Sequence, residues 1–266
     1  MESQTRGWVT IVTLNNLHLT KRAIASVLAQ DTPVDLLVID NKSNDGTIGW
    51  LRTQRGITVI YLPERQSLAS CWNLALQCAW QAGRHEALCV NNDVIIRPDT
   101  YRMLLSHGGP FVTCVSVDKE EQLGSPGDRK IEDLRPGRPH PDFSCWLMRK
   151  EVTNAIGYFP EDYYPAFYED NFYHVTMHRA GIRACCIDLP FLHLGSSTVK
   201  NASSRERARI QRGAAANKER FFKQFGCVPG TPEYEALFDE SKFGMNSSVA
   251  RHVYSPTAPH GSASTS

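Results

Sequence analysis

Ala87-Leu88-Cys89-Val90-Asn91-Asn92-Asp93 is an apolar run that ends in two amides and a carboxylate. Four apolar residues in a row, bounded by polar ones, read as a short strand buried on both faces, as parallel sheets require. Strand signals recur toward the N-terminus: a β-branched run at 8–14, a short apolar strand at 36–39 and another candidate at 57–62. Between these runs lie helical spacings: Leu17, Lys21, Ile24, Val27 and Leu28, then Leu68, Cys71, Trp72, Ala75, Cys78, Ala79 and Ala82. Short apolar strands alternating with amphipathic helices predict an α/β fold, a Rossmann-like and mainly parallel sheet flanked by helices.

In such sheets ligands bind outside the carboxyl ends of the strands. Three polar clusters fall there: Asn15-Asn16 after the first strand, Asp40-Asn41 after the second, and Asn91-Asn92-Asp93 after the fourth. One polar residue in a turn means little; three clusters on one edge of a sheet indicate a ligand site. Beyond Pro98 the pattern is less regular. Residues 111–117 read as a strand, 124–141 as a mobile loop rich in Gly, Pro and charge, and 170–180 and 204–225 as helices. The expected organisation is one domain in two halves, 1–97 binding the ligand and 98–230 completing the site. Residues 231–266 form a C-terminal extension, expected to be disordered from about 247.

The bulk numbers limit the function. The 266 residues carry a formal net charge of +1, without the basic excess of a protein built to grip nucleic acid. Eight cysteines include no C-x-x-C pair, so buried free thiols and a reducing compartment are expected rather than a zinc ribbon. No apolar run approaches the ~20 residues of a membrane span. The polar first residues do not form a signal peptide, so the expectation is a soluble, cytoplasmic protein.

Five constellations could carry chemistry. The segment 40–47 follows a strand and opens a helix; Asp40 suits a ribose or base N–H, although a well-capped turn uses the same residues. Asn91, Asn92 and Asp93 offer hard oxygens suited to Mg²⁺ or Mn²⁺, which would neutralise a diphosphate leaving group. Asp170 stands at a helix start, as an N-cap or as a general base kept ionised by the helix dipole. His193 can complete a Mn²⁺ shell, and the adjacent Gly195-Ser196-Ser197-Thr198 can donate to phosphate. Arg205, Arg207, Arg209, Arg212, Lys218 and Arg220 form either a solvated face or a clamp for an anion.

Taken in order, these segments resemble the family 2 glycosyltransferases of GT-A fold, particularly rhamnosyltransferase-like bacterial and viral members. The resemblance runs from Trp8 to about Pro229. Residues 9–13 look like the opening nucleotide-binding strand, and 38–47 are similar to the V-D-N-x-S-x-D-G-T segment. Ser70-Cys71-Trp72-Asn73 matches the helix that carries an Asn near the nucleotide, and 90–93 look like the D-x-D equivalent. Phe167-Tyr168-Glu169-Asp170 with Ala180-Gly181 matches the E-D…A-G segment, 193–198 the H-x-G-x-S element, and 217–226 the closing N…Y-Y…K-W-G pattern.

The resemblance implies a nucleotide-sugar donor of UDP or dTDP type, held by Thr13, Asn15, Asp40, Asn41, Ser43, Asn73, Asn91, Asn92 and Ser197. It implies Mn²⁺ or Mg²⁺ on Asp93 and His193, and inverting transfer with Asp170 as base and Glu169 supporting it. The acceptor would be a hydroxyl on a glycan, a lipid-linked glycan, another polymer or a modified nucleic-acid base, the last not favoured. Two positions depart from the pattern. Asn91 replaces the first acid of D-x-D, and Phe172 and Thr176 stand where an acid and an Arg are often found. Two alternatives remain: a nucleotidyltransferase of similar sheet, for which the turn 15–18 lacks a Gly-rich phosphate loop, and a non-catalytic module that binds nucleotide sugars.

Overall fold

A computed structural model describes residues 6–125, 140–195 and 204–239. Ser197, most of the 124–141 loop and the tail from 247 lie outside the described residues.

The first half follows the expected pattern. β1 (Gly7–Thr13), α1 (Leu17–Leu28), β2 (Val34–Asp40), α2 (Thr47–Leu51), β3 (Thr58–Tyr61), α3 (Leu68–Gln81) and β4 (Glu86–Asn91) alternate along the chain. β3, β2, β1 and β4 are neighbours in that order and all run parallel. The chain builds outward from β1 to β3, then returns to place β4 on the other side of β1. The loops after β1 and β4 therefore diverge, and a cleft opens between them at the carboxyl ends.

The side chains explain why both faces are covered. In β1, Val9 and Ile11 join a core with Ala23, Ile24 and Val27 of α1, while Val12 points to the opposite core around α3. In β2, Leu36 and Val38 face the first core, Leu37 and Ile39 the second. In β4, Leu88 and Val90 alternate with Ala87 and Cys89 in the same way. This period-two alternation between two apolar layers is what a central parallel strand demands.

The second half departs from a purely parallel sheet. β5 (Val94–Ile95), α4 (Thr100–His107), β6 (Phe111–Val117), β7 (Cys145–Arg149), α5 (Lys150–Ile156), α6 (Glu169–Arg179) and β8 (Ala184–His193) complete one sheet of eight strands, ordered β3-β2-β1-β4-β7-β6-β8-β5. β7 inserts antiparallel between β4 and β6, and β5 closes the edge antiparallel to β8. The sheet is thus continuous across residue 97.

α7 (Ser204–Phe225) lies against α6. A third apolar cluster, Tyr163, Val175, Phe221, Cys227 and Tyr234, joins these helices to the short helix Pro232–Glu235. The first residues of the C-terminal extension are therefore packed; Tyr234 is 1 % exposed. No described helix is long and apolar enough to cross a membrane.

Candidate functional site

Two adjoining cavities open at the carboxyl ends of β1 and β4. The smaller, about 290 Å³, is lined by Asn41, Asn91, Asn92, Asp93, His193, Arg65, Glu206 and Arg209 among others. The larger, about 590 Å³, is lined by Trp72, Phe143, Tyr168, Glu169, Asp170, Asn171, Asp142 and Lys218 among others. Leu68, Asn91, Ala166 and Phe167 border both and form the wall between them.

Asp93 and His193 are brought together by strand pairing. β5 follows Asp93 directly and pairs with the end of β8 so that Val94 faces His193. The backbone N–H of Leu194 donates to the Asp93 carbonyl at 2.9 Å, locking that register. The His193 Nε2 then stands 3.5 Å from Asp93 Oδ1 and 3.5 Å from Ser144 Oγ. Ser144 is fixed in turn: its N–H donates to Asp142 Oδ1 and its carbonyl accepts from the N–H of Asn91. A carboxylate oxygen and an imidazole nitrogen meeting at a cavity wall are a donor set suited to Mn²⁺ or Mg²⁺. No group of three or more His, Cys, Asp or Glu side chains able to hold a metal occurs among the described residues.

The polar clusters after β1 and β2 behave differently. Most of them hold one another. Asn15 adopts a left-handed backbone, donates its N–H to Ser43 Oγ at 2.7 Å, and accepts from the N–H of Asn44 on its side-chain oxygen. Asn92 sends its amide hydrogens toward Thr13 Oγ1, Thr20 Oγ1 and the Asn15 carbonyl. Asn41 bridges both backbone groups of Gln66. Thr13, Asn15, Asp40 and Ser43 line neither cavity. Their polarity fixes the three loops relative to each other, so that Asp93 is presented on a rigid rim.

Asp40 is fully buried. One of its oxygens accepts from the N–H of Ser43, and the other is buried with no hydrogen-bond partner among the described residues. Asn73 also lies away from the cavities. It is 1 % exposed and fully engaged: its amide donates to the Phe159 carbonyl and Glu161, and its oxygen accepts from the N–H of Phe159. Its place is a clasp between α3 and the segment after α5. Asn73, expected near the nucleotide, lines neither cavity.

Asp170 occupies the larger cavity, with one correction. The N-cap of α6 is Tyr168, in a left-handed conformation; Asp170 sits inside the first turn and accepts from the N–H of Asn171 at 2.8 Å. Its carboxyl is raised from the ordinary value. Burial is the main cause, the backbone N–H of Asn171 opposes it, and the negative charge of Asp142 adds to it. The helix dipole thus does not dominate here. Glu169 is 2 % exposed, and its carboxyl is pushed well up by burial and by Asp170. One of its oxygens has no hydrogen-bond partner among the described residues. It lines the same cavity as Asp170 and can act on it electrostatically.

Phe167 and Tyr168 are consecutive non-glycine residues at positive φ, 80° and 75°, a strained arrangement that recurs at functional sites. α7 holds it in place. Asn217 donates to the carbonyls of Ala166 and Phe167, and Gly213 lies so close that a Cβ there would sit 2.8 Å from the Tyr164 carbonyl oxygen.

Sequence reasoning missed several lining residues. Asp142 sits at the end of the irregular 124–141 stretch, and Arg65 is an isolated cation in the loop after β3; neither stands in a pattern that marks it. The basic run of α7 proves mixed. Arg209 faces the smaller cavity and Lys218 the larger, whereas Arg205, Arg207 and Arg212 are exposed.

Comparison with known proteins matches residues 8–122 to the family model described as Glycosyl transferase family 2. This stretch, under half of the chain, is similar to the family 2 glycosyltransferases. No curated protein sequence matches the chain. Among solved structures, the mannosyltransferase PcManGT from Pyrobaculum calidifontis, in complex with GDP-Man and Mn²⁺, is similar with TM-score 0.58 and 16 % identity, covering 92 % of this chain and 74 % of that one. Glucosyl-3-phosphoglycerate synthase from Mycobacterium tuberculosis, in complex with Mg²⁺ and UDP, gives 0.53 and 18 %, over 85 % and 81 %. TarS 1–349 from S. aureus gives 0.53 and 17 %, over 88 % and 78 %. At these identities the likeness shows the fold, which is GT-A-like. The matched stretch ends after β6, so it contains Asp93 but neither His193 nor Asp170.

Proposed function

We propose that the chain is an inverting glycosyltransferase that moves a hexose or deoxyhexose from a nucleotide-diphosphate sugar to an acceptor hydroxyl. The observation that carries this reading is the shared wall. Asp93 and His193 line one cavity, Asp170 lines the next, and Asn91 borders both. A sugar whose anomeric carbon sits at the wall would have its diphosphate on the Asp93 side and an acceptor hydroxyl on the Asp170 side. That is the opposed placement direct displacement requires.

Asp170 accepts the proton of the acceptor hydroxyl as its oxygen bonds to the anomeric carbon from the larger cavity. The bond from that carbon to the diphosphate oxygen breaks, and its electron pair leaves with the nucleoside diphosphate. A carboxyl raised by burial is a better base than an exposed one once ionised, provided the pH lies above its shifted value. Asp93 and His193 would hold Mn²⁺ or Mg²⁺, which neutralises charge on the departing diphosphate when bound. Asn91 and the backbone of Ala166 and Phe167 position the sugar at the wall. Trp72, Phe143 and Tyr168 give the larger cavity an aromatic lining.

The test is a thermal-shift screen of UDP-, dTDP- and GDP-sugars with Mn²⁺, followed by transfer assays with the donor that stabilises. One donor class should raise the midpoint and be consumed with inversion at the anomeric carbon. Retention of configuration, or the absence of any stabilising nucleotide sugar, would overturn the proposal.

A further inference from the structure

We infer that Glu206 stands in for the donor's diphosphate, holding Arg65 and Arg209 together in the smaller cavity until the diphosphate displaces it. This rests on the donor-site reading above and adds to it the two residues that grip the diphosphate and the group that competes for them.

The geometry is specific. Arg65 Nη1 and Arg209 Nη1 both approach the same oxygen, Glu206 Oε1, Arg65 in a short ion pair and Arg209 at 3.5 Å. All three side chains are partly exposed, at 21 %, 26 % and 38 % for Arg65, Glu206 and Arg209, and all three line the cavity that holds Asp93 and His193. They come from distant parts of the chain. Arg65 precedes α3, whereas Glu206 and Arg209 occupy the first two turns of α7. Arg209 is further oriented by the Tyr164 ring, whose centroid lies 4.9 Å from its guanidinium carbon.

Two guanidiniums aimed at one point repel each other unless an anion lies between them. Glu206 supplies that anion. Arg65 and Arg209 both reach Glu206, and Glu206 gains from its place in the first turn of α7. Carboxylate and phosphate satisfy a guanidinium with the same fork geometry, so the arrangement that seats Oε1 seats a non-bridging phosphate oxygen equally well. A diphosphate brings more charge and more oxygens than one carboxylate. It also cannot share the cavity comfortably with Glu206, because like charges would face each other. Glu206 is partly exposed, so its carboxylate can turn toward solvent as the diphosphate takes its place.

The full chain is titrated calorimetrically with inorganic pyrophosphate, UDP, dTDP and GDP, each with Mn²⁺, in the parent protein and in Glu206→Gln. Glu206→Gln should bind pyrophosphate and the recognised nucleoside diphosphate about three- to tenfold tighter, and Arg209→Ala should weaken both by a similar factor. Glu206→Asp keeps the charge but shortens its reach, and should fall between parent and Glu206→Gln; it serves if Glu206→Gln does not fold. A Glu206 variant that binds the diphosphate no tighter, or more weakly, would make Glu206 a plain structural tie and overturn the inference while leaving the donor site standing. A parent chain that binds no nucleoside diphosphate at all would remove the donor-site reading itself.

Discussion

His193 Nε2 lies 3.5 Å from Asp93 Oδ1 because the two-residue strand β5 pairs Val94 with His193. Residues a hundred positions apart are thus held as a pair by backbone register, independently of either side chain. Asp93→Asn should therefore leave the fold intact while removing the anionic oxygen. Titration of the nucleoside diphosphate with and without Mn²⁺ should show that the metal-dependent gain in affinity is lost. Transfer should fall by more than the ~10–100-fold typical of losing an outer-shell partner. An unchanged metal dependence would remove Asp93 from the site.

Asp170→Asn should retain donor affinity and lose turnover by ~10²–10⁴-fold, the usual range for a positioned base. Near-normal turnover in that variant would exclude it as the base. In the parent, the base works only when ionised, so transfer should decline as pH falls through its raised value.

The negative charge of Asp142 is one cause of that raised value. Removing it in Asp142→Asn should move the acid limb of the pH–rate profile to lower pH. A limb that stays in place would mean that burial alone sets the shift.

Glu169 offers a test of stability against pH. Its folded-state carboxyl is raised well above the ordinary value by burial, so the folded protein prefers it protonated. The sign follows from linkage: its favourable contribution is complete below the unfolded value near 4.5 and is lost as pH rises through the raised folded value. Glu169→Gln should then raise the thermal midpoint at neutral pH, and the gain should vanish below about pH 4.5. Melting curves across this range read the difference directly.

Asn73 should prove structural. Asn73→Ala leaves the backbone groups of Phe159 without their partners in a buried setting, and should cost about 2–3 kcal/mol in urea unfolding. Nucleoside diphosphate binding should persist at temperatures where the variant remains folded. Loss of binding without loss of stability would restore Asn73 to the nucleotide site.

The parallel half was legible because its signals are local. β1, β2 and β4 are buried on both faces, so Leu36 to Ile39 and Ala87 to Val90 read as uninterrupted apolar runs and Val9 to Val12 as a β-branched one. β7 and β8 were not read as strands. β7 follows an irregular segment, and β8 carries Asp188 and Pro190 near a register shift against β6, which breaks the apolar run. The site was legible in its outline for the same reason that ligands gather there: strand ends are polar. What composition cannot distinguish is an amide that faces a ligand from one that faces another loop. Asn15, Asn41, Asn73 and Asn92 look alike in sequence, and their partners decide their roles. Arg65 and Asp142 escaped notice because each acts through neighbours supplied by distant elements.

The partition formed by Leu68, Asn91, Ala166 and Phe167 has an evolutionary corollary. If donor and acceptor occupy the two cavities as proposed, both meet the same four residues, and a substitution there cannot retune recognition of one without disturbing the other. Variation that alters the acceptor should accumulate on the far side of the larger chamber, around Ala214, Ala215, Lys218 and Pro229. The divider itself should diversify only in concert with both chambers.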